Sequence, residues 1–234
     1  MDATLGLDTS TATLAVAVTA DGSPLAEEEA GPGPDGRPGH ATELLPAIER
    51  AVAAAGGWER IGEIAVGIGP GTFTGLRIGV ATARALALSR ALPLAGVSSL
   101  AALAAGIDRG PGEEGLAVID AKRGEAFAAL YGHSGEVVWE PFVAQPDELA
   151  ERLRGHAASV AAAGDGSLRF RTQLEAAGVA VPAEGDPAHR VRARHICDLA
   201  AAAGLGPPEA VEPTYLRRPD AELWRERDRG RGDG

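Results

Sequence analysis

The sequence predicts an α/β protein of two lobes, each a mixed sheet flanked by helices, and three observations support this. An apolar strand ending in an aspartate and followed by a hairpin occurs twice, first as TLGLD with LAVAVTADGSPLAEEE, then in the second half as GLAVID with AFAALYGHSGEVVWEPFVA. Between and after these copies the apolar spacing lengthens from two residues to three or four, the change from strand to helix. RGPGEEG, from Arg109 to Gly115, separates the copies as a Gly- and Pro-rich boundary. Laying Asp8 on Asp120 sets Leu7 on Ile119, and Leu14 and Val16 on Ala126 and Ala128. The chain therefore reads as a duplicated strand-hairpin-helix unit, with lobes at residues 1–108 and 109–218 and a charged tail at 219–234. A chain of 234 residues, 45% of them hydrophobic, buries either one large core or two modest ones.

The elements follow in order. The two hairpins turn at Asp21-Gly22 and Ser134-Gly135. GPGPDGRPG, residues 31–39, is too rich in Gly and Pro for regular structure and is expected to be mobile. From Ala41 to Ala55, the residues Leu44, Leu45, Ile48, Val52 and Ala55 form one helical stripe that stops at Gly56-Gly57. Pro46 then belongs near the first turn, where a missing N–H costs least. Ile61 to Ile68 reads as a strand, Gly75 to Leu92 as a helix, Leu94 to Val97 as a strand, and Ser98 to Ala105 as a serine-capped helix. In the second lobe a helix follows Pro146, SVAAAG is a strand of small residues, and helices are expected near Leu168 to Ala177 and Arg190 to Ala203. The tail is expected to fray after Trp224.

Composition excludes several functions. A formal charge of -11 opposes binding of a polyanion by the chain alone. The N-terminus carries an acidic residue where a signal peptide needs positive charge, and no apolar run approaches the roughly 18 residues of a membrane span, so a cytoplasmic, membrane-free protein is expected. Cys197 is the only cysteine, which excludes an intrachain disulfide and a cysteine metal cluster; it reads as a small buried hydrophobe. Lys122 is the only lysine among 22 basic residues, a coding bias that discounts every Arg-rich motif.

GIGPGTFTGLRIGVATARALA, from Gly67 to Ala87, places a glycine-rich turn between a strand and a helix, in principle an anion site. It fails the sharper tests. Leu76 and Arg77 follow Gly75 where a Walker A loop needs Lys, and the glycines lack the G-x-G-x-x-G spacing. Gly75, Gly79, Ala83 and Ala87 recur every four residues, leaving one side of the helix almost bare of side chains. Such a side admits a close helical neighbour, either within the chain or in another subunit.

The same stretch, with ALPLAGVSSL after it, resembles the signature of the TsaB (YeaZ) family, which takes part in making threonylcarbamoyladenosine in tRNA. GHATELLP around His40, IDAKRGEAF with Asp120, Gly124 and Glu125, and EPTYLR from Glu212 to Arg217 agree with it, so the likeness covers nearly the whole chain. It implies an actin-like, sugar-kinase-like (ASKHA) fold of two lobes. It also implies a non-catalytic relative of TsaD, the subunit that transfers the threonylcarbamoyl group. The positions matching TsaD's two metal-binding histidines are Ser99 and Leu103, which cannot replace imidazoles on a metal.

In such a fold Asp8 and Asp120 end matching strands at the cleft between lobes, where a metal ion and nucleotide phosphates are held. Ser10 and Lys122 complete the candidate cleft set. DTSTAT and DAKRGE, however, lack the glycines that admit phosphate, and Lys122 reads as a salt-bridged turn residue. The Thr9, Ser10, Thr11 cluster has no base placed by sequence for a nucleophile. No two of His40, His133, His156, His189 and His195 are four apart, and His40 reads as structural. HRVRARH, with Arg190, Arg192 and Arg194, is either a solvated helix start or a contact for a tRNA phosphate or an acidic neighbour within a complex.

The function expected is a scaffold with no metal or cofactor of its own, ATP and metal residing on partner subunits. Its partner surface is the Ala41 and Gly75 helices, with Leu44, Leu45, Ile48, Gly75, Arg77, Gly79, Ala83 and Ala87 as contacts. TsaD is the expected partner, TsaE joins the full complex, tRNA is met only through that complex, and the lone chain pairs with itself. The competing class is a small actin-like ATPase or phosphotransferase using Asp8 and Asp120.

Overall fold

The computed structural model describes residues 2–217; the expected tail at 219–234 lies outside the described residues. The first sheet contains β1 (Ala3–Asp8), β2 (Leu14–Ala20), β3 (Ser23–Ala30), β4 (Ile61–Gly69) and β5 (Leu94–Ser98), in the order β3-β2-β1-β4-β5. The second contains β6 (Glu114–Lys122), β7 (Glu125–Tyr131), β8 (Val137–Ala144) and β9 (Val160–Ala163), in the order β8-β7-β6-β9. In each sheet the hairpin strands are antiparallel and the returning strand is parallel to the first, β4 beside β1 and β9 beside β6. The two sheets therefore repeat one topology, as the duplicated motif requires.

The overlay slips by one residue in the hairpins. Asp8 faces Ala15, whereas Asp120 faces Ala126, with an irregularity between Asp120 and Lys122. Ala126 is thus the counterpart of Ala15 rather than of Leu14, and in a pleated strand one residue is the difference between the two faces.

The helices are α1 (His40–Ala54), α2 (Phe73–Arg90), α3 (Ser99–Ala105), α4 (Pro146–Arg154), α5 (Asp165–Arg169), α6 (Arg171–Ala176) and α7 (Ala193–Ala203). Leu44, Ile48 and Val52 of α1 and Val80, Ala83 and Ala87 of α2 pack with Leu5, Leu7 and Val16 on one face of the first sheet. Leu100 and Leu103 of α3 and Ile196 and Ala200 of α7 join Val97, Ile119 and Phe127 in a core between the sheets. Leu149 and Leu153 of α4 and Leu174 of α6 cover the far face of the second sheet with Leu116, Val118 and Leu130. α7 also packs on β1 and β2, where Ala193 and Cys197 meet Ala15 and Ala17. Residues 193–203 thus return to the first sheet, which a division at 108/109 does not express.

Other local differences have physical causes. Pro46 lies in the second turn of α1, at an exposed position where the missing N–H leaves only a solvent-side gap. The expected helix from Leu168 to Ala177 is two short ones broken at Phe170, whose side chain turns into the core. Ser98 caps α3, its hydroxyl accepting from the Ala101 N–H at 3.3 Å. Residues 31–39 hold neither helix nor strand. Among the described residues no helix is long and apolar enough to cross a membrane.

Candidate functional site

The glycine loop is packed by its own chain. A Cβ on Gly71 would overlap the Ser10 backbone, one on Gly75 would overlap the Thr9 carbonyl, and one on Gly79 would overlap Thr9 Oγ1. Thr9 Oγ1 donates to the Gly75 carbonyl at 2.7 Å, and the Thr72 N–H donates to the Ser10 carbonyl at 2.8 Å. The bare side of α2 therefore lies on the turn after β1. Gly75, Gly79, Ala83 and Ala87 are all buried, so the close neighbour is internal and these four are not partner contacts. Leu44 and Ile48, 2% and 1% exposed, are likewise core residues rather than surface.

What α1 and α2 do expose is different. Leu45 is 53% exposed and Leu88 is 59% exposed, and Arg77, Ala81 and Ala85 also face outward. Of the expected partner contacts, Leu45 and Arg77 are the two at the surface. Ala81, Ala85 and Leu88, outside the expected contact set, share a second face of the same helix, which their i, i+4, i+7 spacing marks. His40 is buried at the start of α1, where burial holds its imidazole below the ordinary value against a hydrogen bond with the Ala12 backbone. Its Nε2 has no hydrogen-bond partner among the described residues.

The cleft carboxylates are spoken for. Asp8 is fully buried; Oδ1 accepts from the Ser10 N–H at 2.8 Å and from Ser10 Oγ at 2.6 Å, and Oδ2 accepts from Ser99 Oγ at 2.6 Å. Ser99 Oγ in turn accepts from the Gly69 N–H at 3.2 Å. Burial pushes the Asp8 carboxyl above its ordinary range, opposed by the Ser10 and Ser99 hydrogen bonds. Ser10, also fully buried, has its hydroxyl committed to Asp8. Ser99 and Leu103, the positions that match TsaD's histidines, are 0% and 1% exposed and serve the Asp8 network and the core respectively.

Asp120 is paired with two cations, Lys122 Nζ and Arg169, each at 2.9 Å. Burial raises its carboxyl, but the Lys122 contacts and Arg169 outweigh this and hold it below the ordinary range. The neighbouring Asp165, which accepts the Asp120 N–H at 2.9 Å, is pushed up by burial. Lys122 is the salt-bridged turn residue expected.

The arginines of HRVRARH are paired with carboxylates of β3, with Arg190 still 48% exposed. Glu27 and Glu29 of β3 point to the α7 side, where Arg192 reaches Glu27 at 2.7 Å and Arg190 reaches Glu29 at 3.0 Å, with Arg194 3.8 Å from Glu27. Glu28, on the opposite face as strand alternation requires, pairs with Arg50 of α1 at 2.8 Å. EPTYLR forms a strap across the lobes. The Thr214 N–H donates to the Ile68 carbonyl at 2.8 Å, Tyr215 lies against Phe73 of α2 with ring centroids 5.3 Å apart, and Arg217 bonds Glu125 of β7 at 2.7 Å.

With this geometry in place, comparison with known proteins is decisive. The TsaB of Escherichia coli strain K12, a tRNA threonylcarbamoyladenosine biosynthesis protein, is 32% identical over 222 residues, 91% of this chain and 94% of that protein. The chain belongs to the TsaB family. The TsaB of Bacillus subtilis strain 168 is 32% identical over 64% of this chain and 63% of its own length. A family model described as TsaD, tRNA N6-adenosine threonylcarbamoyltransferase, matches residues 36–203. Among solved structures, YeaZ from Pseudomonas aeruginosa superposes with a TM-score of 0.74 at 28% identity, over 92% of this chain and all of that one. The ROK hexokinase of Thermus thermophilus aligns at a TM-score of 0.52 and 16% identity over 86% of this chain, a likeness of fold alone. The two-sheet α/β architecture thus resembles that of members of the sugar-kinase-like (ASKHA) fold.

Proposed function

We propose that the chain is a non-catalytic subunit of the assembly that installs threonylcarbamoyladenosine in tRNA, and that it docks a TsaD-type transferase through the outward faces of α1 and α2. The observation that carries this reading is the exposed apolar row Ala81, Ala85 and Leu88 with Leu45, beside a cleft whose chemistry-bearing side chains hold one another. A TsaE-type ATPase joins when both subunits are present, ATP and metal belong to the partners, and tRNA is met through the complex. Alone, the same face pairs two copies about a two-fold axis.

The test is to mix the purified chain with the TsaD of its own organism and measure mass by light scattering on a sizing column. A heterodimer is expected, lost on Leu88→Asp; absence of any complex overturns the reading. Calorimetry with Mg and ATP on the isolated chain addresses the competing ATPase class: heat corresponding to micromolar affinity favours an enzyme.

A further inference from the structure

The outward face of α2 carries two guanidinium groups that no carboxylate answers among the described residues. At 100° per residue Phe73, Arg77, Ala81, Arg84, Ala85 and Leu88 fall within an arc of about 120°, opposite Gly75, Gly79 and Ala83. Arg77 is stacked and hydrogen-bonded. Its Cζ sits 3.9 Å above the Phe73 ring, and its Nε donates to Tyr215 Oη at 3.3 Å. Its two terminal nitrogens have no partner among the described residues. Arg84, about 10.5 Å further along the axis, is half-buried and makes no ion pair among the described residues. This is not for want of acids, since the chain has 33 acidic residues to 22 basic ones. Arg50, Arg169, Arg190, Arg192 and Arg217 all find carboxylates.

A guanidinium already fixed by stacking loses little freedom on binding, and its planar fork matches a carboxylate at two points. Resting on the docking reading above, we infer that Arg77 and Arg84 are the charged anchors of this face, and that the transferase meets them with two carboxylates about two helical turns apart. Ala81, between the two, lets the opposing backbone come close. Tyr215 acts as a positioning residue, tying the anchor to the strap that ends on Glu125. A polyanion fits less well: two cations flanked by Ala and Leu on a chain of charge -11 make a poor phosphate track.

The experiment measures the affinity of the full chain for TsaD at two salt concentrations, for the native protein and for Arg77→Ala, Arg77→Lys, Arg84→Ala, Tyr215→Phe and Leu88→Asp, each checked for native circular dichroism. Arg77→Ala is expected to weaken binding about ten-fold and to flatten its salt dependence. Arg77→Lys recovers only part of this loss, because an ammonium is not a fork. Tyr215→Phe costs about three-fold, chiefly in dissociation rate. Binding by an Arg77→Ala/Arg84→Ala double variant within two-fold of native, with unchanged salt dependence, overturns the proposal. If Leu88→Asp abolishes that same binding, the docking face stands and only the anchors fall; if Leu88→Asp is also silent, the docking reading falls with them. A double variant that binds TsaD normally while its complex loses tRNA also overturns the proposal, since the arginines then serve phosphate.

Discussion

Gly79→Ala tests whether the bare side of α2 is an internal contact. Helix propensity alone predicts a gain of about 1 kcal/mol from replacing a mid-helix glycine by alanine. The packing predicts the opposite sign. The new Cβ would overlap Thr9 Oγ1, while Thr9 Cβ and Leu7 Cδ1 lie at an ordinary 3.5 and 3.7 Å. Overpacking of this kind costs about 1–3 kcal/mol, and displacing the Thr9 hydroxyl forfeits its 2.7 Å bond to the Gly75 carbonyl, a further loss of about 1 kcal/mol. The balance is a destabilisation of about 1–3 kcal/mol, which for a chain of this size lowers Tm by about 2–12 °C. Because only the hydroxyl is in the way, Thr9→Ala should absorb the substitution: the double variant is expected to be no less stable than Thr9→Ala alone, a coupling of about 1–3 kcal/mol. Urea titration and thermal circular dichroism of the four proteins measure the cycle. A Gly79→Ala protein that melts higher than native, or a double variant showing simple additivity, refutes the argument.

Other outcomes follow from the same contacts. Asp8 has a folded pKa above its ordinary 3.8, so its contribution is most favourable below that value and declines as pH rises through the raised one; Asp8→Asn removes this decline, and a stability difference from native that is constant with pH would contradict it. Burial pushes the Cys197 thiol up to about 12, so disulfide reagents should modify it much more slowly in the folded protein than in urea at pH 8, and equal rates would refute its burial. Arg192, with 23% side-chain exposure against 48% for Arg190, should cost more on truncation, about 1–2 kcal/mol against under 1 kcal/mol; equal denaturation midpoints would refute the ranking.

The duplicated sheets were legible because strand alternation, turn dipeptides and a terminal aspartate are local signals that occur twice. The side of α2 that lies close to its neighbour was legible too, as glycine or alanine every four residues. What that side touches was not, since the pattern records the closeness of an approach and not the owner of the approaching chain; Leu7 of the first strand and Thr9 of the turn after it supply it. Leu44 and Leu45 show the same limit: adjacent residues stand 100° apart on a helix, and only packing on the sheet decides which is core. The ion pairs of HRVRARH were not legible, because their carboxylates, Glu27 and Glu29, lie far away in sequence. Asp8 was placed correctly at the end of its strand, but the closing of its pocket by Ser99 depends on a helix from another part of the lobe.

The return of α7 to the first sheet has a consequence for biosynthesis. The sheet's last strand ends at Ser98 and the helix covering β1 and β2 begins at Ala193, so at elongation rates of about 5–20 residues per second the ribosome needs on the order of 5–20 s to deliver the cover after the strands have emerged. During that interval the apolar face around Ala15 and Ala17 is exposed, inviting chaperones or aggregation, and native closure awaits nearly the whole polypeptide. A nascent chain arrested between these elements should therefore be protease-sensitive in its first half, even though every strand of that half has already been made.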